Sequence, residues 1–145
     1  MPDQLKETIR LDLNSARKER AKLRTTVLST FLSEVRNREI ELGSAATDAD
    51  VEALLITAIK RRREAADQMR TGNREELAAK EDEEALILQE YLPPQMEDQE
   101  VRALVRAAVT DGAADLGSVM KVVMPKVKGR FEGKELNRIV REELG

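Results

Sequence analysis

Apolar residues recur every three or four positions along most of this chain, the spacing that lines one face of an α-helix. Leu5, Ile9, Leu13 and Ala16 make the first such face, and Asp3 stands where a helix cap belongs. The face fades at RKERAKLR, where Arg17, Lys18, Arg20, Lys22 and Arg24 oppose Glu19; this segment either continues the helix or breaks it, and its cations suit a nucleic acid or, more simply, a solvated face. A second face carries Leu23, Val27, Leu28, Phe31, Leu32, Val35 and Leu42, broad enough to touch two neighbours, and stops at Gly43. Thr47 or Asp48 caps a third helix, which runs through Val51, Leu54, Leu55, Ala58, Ile59, Ala66 and Met69 to Thr71-Gly72-Asn73. A fourth, with Leu77, Leu88, Tyr91 and Leu92 on one side, ends at Pro93-Pro94.

Two prolines disfavour helix at and before them, so YLPPQM reads as a connection between two lobes. Beyond it, a helix starts near Glu97 or Asp98, buries Val101, Leu104, Val105 and Ala108, and ends at Asp111-Gly112. Asp115 begins a short helix from Leu116 to Met124, which Pro125 should stop by removing an amide donor. Leu136, Ile139, Val140 and Leu144 form the last amphipathic face. No segment alternates with period two long enough to be a strand, and no heptad repeat is sustained. The pattern predicts an all-α fold of two small helical lobes. Residues 1–93 form an N-terminal helical domain with a long hairpin, and residues 94–145 form a C-terminal three-helix domain.

Composition narrows the chemistry. Charged residues are 37% and aromatic residues 2%, a composition of exposed amphipathic helices. The chain has no cysteine and no histidine, which removes disulfides, thiolate nucleophiles, sulfur-ligated metals and the usual acid–base side chain near neutrality. No catalytic residue, cofactor or metal site is assigned. No apolar run approaches the 18 or so residues of a membrane span, and Met1 is not followed by a charged-then-apolar leader, so the expected setting is cytoplasmic.

Charge is unevenly placed. Lys60, Arg61, Arg62 and Arg63 resemble a nucleic-acid patch, yet a hairpin turning at Gly72 sets them level with Glu81, Asp82, Glu83 and Glu84. The expectation is mutual compensation between the two runs, with Lys60–Glu64 and Arg63–Asp67 pairs inside the third helix. The stretch from Val119 to Val140 differs. After Lys121, the cations Lys126, Lys128, Arg130 and Lys134 fall within nine residues that hold Glu132 as their one acid, in a chain of net charge -3, and Gly129 and Gly133 bracket what reads as a basic loop. Cations beside exposed backbone amides suit phosphate; the same residues also suit an ordinary solvated turn.

The words RTTVLSTFLSEVRNREI, IKRRREAADQMRTGNREELAAKEDEEALILQEYLP and LGSVMKVVMPKVKGR followed by GKELNRIVREEL together cover most of the chain. In them it resembles the YqeY family and the tail domain of GatB, the tRNA-binding subunit of the glutamine-dependent aspartyl/glutamyl-tRNA amidotransferase. Two positions depart from that pattern. Ser29 stands where the family usually has Arg, and Phe131 follows K-G-R where a small residue is usual. The resemblance implies an all-helical, two-lobed module that helps hold tRNA. The associated label, carbon–nitrogen ligation with glutamine as amide donor, would belong to the full amidotransferase, whose glutaminase nucleophile lies on another subunit.

Three functions compete: a tRNA-binding module contacting phosphate through Lys121, Lys126, Lys128, Arg130 and Lys134, an adaptor holding a partner protein in an apolar groove, and an enzyme acting alone. Nothing indicates DNA or a membrane as partner. Few aromatics favour backbone contact over base stacking. Co-purification with and without nuclease separates RNA from protein as the partner.

Overall fold

A computed structural model of the chain describes residues 3–145. Its described residues form α-helices and turns, with no strand: α1 (Leu5–Lys18), α2 (Lys22–Leu42), α3 (Asp48–Thr71), α4 (Glu75–Gln89), α5 (Asp98–Thr110), α6 (Leu116–Val127) and α7 (Gly133–Leu144). They group into two compact units, one ending at Leu92 and the other Pro93–Gly145.

In the first unit, Phe31, Leu28 and Val35 of α2 are fully buried among Ile9 and Leu13 of α1, Val51 and Leu55 of α3, and Leu88 of α4. Helix ends follow local chemistry. Thr47 and Asp50 form a reciprocal capping box at the start of α3, and Gly43 ends α2 at φ 71, where a side chain would be strained. Asp3 does not cap α1. Its Oδ1 accepts from the Asp48 amide at 2.9 Å, and Asp48 Oδ1 accepts from the Leu5 amide at 2.8 Å, so the two helix starts cap each other crosswise. At the other end Tyr91 donates to Asp12 at 2.5 Å, while Arg24 donates to Tyr91 and Glu90, joining α1, α2 and the exit of α4.

Three sequence expectations are corrected in α3 and α4. Leu77 is 47% exposed; Ala78 and Ala85 are the residues that α4 buries near it, because small side chains let the hairpin helices approach closely. The charge runs do not neutralise each other as blocks. Consecutive helix residues point about 100° apart, so one of the four cations faces α4: Arg62 Nε lies 3.7 Å from Glu84. Lys60 reaches Glu64 at 3.9 Å, Asp82 is taken by Arg70 at 2.5 Å, and the Arg63–Asp67 pair does not form.

Arg62 and Glu84 are both mostly covered, and burial, reinforced by Glu81, pushes the Glu84 carboxyl above its ordinary value against the pull of Arg62. A carboxyl raised on folding contributes stability that is present at low pH and lost as pH rises through its folded pKa. The stability of Glu84→Gln relative to the native chain is therefore expected to increase as pH is raised from about 4 to 7, measured by urea unfolding. A relative stability that falls over this range would mean that the ionised form is the one the fold favours.

In the second unit, α5, α6 and α7 close around Val101, Val105, Val119, Val123, Leu136 and Ile139, all fully buried. Glu97 and Glu100 form a capping box on α5, and Asp115 accepts from the Ser118 amide at 2.7 Å to cap α6. Pro125 does not stop α6, which continues to Val127. So near the helix end the ring removes one bond, to the carbonyl of exposed Lys121, which water can satisfy, and continuing past the ring buries Val127.

Candidate nucleic-acid interface

With α6 longer than expected, the basic stretch is two helix ends joined by a turn at residues 128–132 rather than an open loop. Val119, Val123 and Val127 face the core at i, i+4 and i+8, which leaves Lys121 and Lys126 on the exposed side of α6. Lys128 comes directly after α6, seven residues beyond Lys121 and so on the same side two turns later. Gly129 takes φ 78, a left-handed conformation that turns the chain back; Gly133 does not, and simply opens α7. Lys134 is exposed in the first turn of α7.

Arg130 is placed differently from the lysines. It is half-buried, its Nε donates to the Pro94 carbonyl at 3.0 Å, and its own carbonyl accepts from the Met96 amide at 2.7 Å. It ties the entry segment of the unit to the turn, leaving its two terminal nitrogens for anything else. Phe131 packs inward against the core, so it is not displayed for stacking on a base.

The remaining arginines of α5 and the first of α7 are matched to carboxylates. Arg102 meets Asp98, Glu142 and Glu143 at 3.2, 2.6 and 3.2 Å; Arg106 meets Glu143 at 3.0 Å; Arg138 meets Glu135 and Glu142 at 2.9 and 2.6 Å. Hydrogen bonds from Arg102 and Arg138 hold Glu142 below the ordinary carboxylate range, and those from Arg106 and Arg102 do so for Glu143. Lys121, Lys126, Lys128 and Lys134 have no ion-pair partner among the described residues. The structure thus separates Arg102, Arg106 and Arg138, which carboxylates compensate, from the uncompensated lysines around the α6–α7 turn, while Arg141 near the end of α7 donates to Asn137 at 2.7 Å. A set of lysines with no shaped cavity can neutralise phosphate and carries no machinery for reading bases.

Elsewhere the concave surfaces are shallow and of mixed charge, such as the one lined by Glu34, Asn37, Arg38, Glu41, Leu54 and Arg61. Among the described residues, no three acidic side chains come together as metal ligands, and no helix is long and apolar enough to cross a membrane.

Comparison with known proteins covers most of the chain. An uncharacterized protein of Schizosaccharomyces pombe is 35% identical over 89 residues, 61% of this chain and 72% of its own. The protein named altered inheritance of mitochondria protein 41, mitochondrial, is 26% identical in Pyrenophora tritici-repentis, over 94% of this chain and 79% of its own, and 29% identical in Vanderwaltozyma polyspora, over 88% and 71%. Residues 6–144 match the family described as Yqey-like protein, and with its all-helical fold the chain belongs to that family.

Proposed function

We propose that this protein binds tRNA weakly, through phosphates, with the stretch from Lys121 to Lys134 as the principal contact. The observation that carries the reading is the charge separation in the second unit, where Arg102, Arg106 and Arg138 are held by carboxylates and four lysines around the α6–α7 turn are not. Phosphate is the partner that such lysines serve without further apparatus, and an aromatic content of 2% suits backbone contact. The resemblance of this stretch to the tail of the tRNA-binding amidotransferase subunit supports tRNA as the polymer. Weak affinity accords with the net charge of -3. The proposed role is holding RNA rather than catalysis, in the cytoplasm; the relatives' names place those proteins in mitochondria.

Changing Lys126, Lys128 and Lys134 together to alanine should weaken binding to unfractionated tRNA. It should also lower the logarithmic salt slope by roughly 2 to 2.7, at about 0.7 to 0.9 per phosphate contact. Helical circular dichroism should be unchanged, because all three side chains are exposed. Arg130 is left in place because it anchors Pro94 and Met96. Equal binding by the two proteins, or none by either at low salt, would overturn the reading.

A further inference from the structure

We infer that the first unit carries its own phosphate-contacting surface, the corner between α1 and α2 formed by Arg17, Lys18, Arg20 and Lys22; the inference rests on the reading that the partner is RNA. All four side chains are exposed, and none is in an ion pair among the described residues. Glu19 is the one acid in the corner. Arg24, the next cation, is different, being committed to Glu90, Tyr91 and Asp12.

Two of the four cations stand where the fold does not want them. Arg20 has φ 59, and the other positive-φ positions among the described residues are given to Gly43, Asn73, Gly112, Gly129 and the C-terminal Gly145, residues that adopt this conformation at low cost. Backbone bonds alone close the turn, from Arg20 to the Arg17 carbonyl at 3.2 Å and from Ala21 to the Ala16 carbonyl at 2.9 Å, so the guanidinium is not needed for it. Lys22 opens α2 at the positive end of its dipole, a place where α3, α4 and α5 set acidic residues and α2 sets none. Arg17 and Lys18, in the last turn of α1, are accounted for by its dipole; Arg20 and Lys22 are not. Ala21 is the corner's one apolar residue, whereas a protein partner would need an apolar centre to its contact. A projecting turn of uncompensated cations without such a centre fits the backbone of a nucleic acid.

The test is the double variant Arg20→Gly with Lys22→Glu. Both changes favour the fold, the first by relaxing the turn and the second by complementing the dipole, so its melting temperature should equal or exceed that of the native chain. Against unfractionated tRNA it should bind roughly tenfold more weakly at about 50 mM salt, with a logarithmic slope lower by roughly 1.4 to 1.8 for two lost contacts. Amide resonances of Arg17 to Lys22 should shift when tRNA is added to the native chain. Native affinity and slope in this variant, beside a weakened Lys126, Lys128 and Lys134 variant, would overturn the corner and leave the proposed interface standing. The reverse pattern would overturn that interface and leave the corner. No binding by the native chain at low salt would overturn both.

Discussion

Replacing Leu136 by alanine is expected to cost about 2 to 5 kcal/mol and to unfold much of the second unit. A unit of this size has a total stability of about 3 to 8 kcal/mol at roughly 0.05 to 0.15 kcal/mol per residue, so the loss removes most of it. The site is a poor one for relaxation. Leu136 is fully buried, and the buried residues around it are chiefly valines: Val101, Val105, Val119, Val123, Val127 and Val140. Valine on a helix is fixed at χ1 and cannot turn into a vacated volume. Amide exchange should speed up throughout α5, α6 and α7 while α2 and α3 keep their protection. Equal loss of protection in all seven helices would show that the two cores unfold together.

The second large effect is expected at Phe31. It is the largest fully buried side chain, set in the first core between α1, α3 and α4, and Phe31→Ala should cost about 3 to 5 kcal/mol in urea unfolding. Phe31→Leu, which keeps most of the volume, should cost about 1.5 kcal/mol or less. A loss below about 1 kcal/mol for alanine would mean that the core collapses onto the gap, which an α2 held by Arg24 and Glu39 at its two ends resists.

Features set by near neighbours are legible in the sequence, and those set by distant ones are not. Gly43 and Asp115 each mark a helix end where the sequence puts it, and of the two caps offered for α3 the structure takes Thr47, completed by a box with Asp50 not expected from the sequence. Pro125 misleads because its effect depends on the residues after it: the burial of Val127 outweighs one bond lost beside solvent. Leu77 misleads because the inner face of α4 is chosen by the close approach of α3, for which alanine is the better fit. The symmetry of Lys60 and Glu84 about Gly72 sets the two charge runs at similar heights, but level is not direction, and only Arg62 is aimed at its counterpart. The lysines of the candidate interface are visible as composition. That Arg130 instead braces Pro94, 36 residues away, belongs to tertiary structure.

The crosswise caps of α1 and α3 bear on the order of events in folding. Gln4, at the cap position of α1, supplies no side-chain bond, and the oxygen that serves the Leu5 amide comes from Asp48, 43 residues further on. While α1 forms alone, that amide is left to water. α3 has its own box of Thr47 and Asp50 and can start unaided. The first turn of α1 closes locally, Thr8 donating to the Gln4 carbonyl at 2.9 Å, but its Leu5 amide gains a protein partner only when α3 docks, and that bond couples the beginning of the chain to the middle.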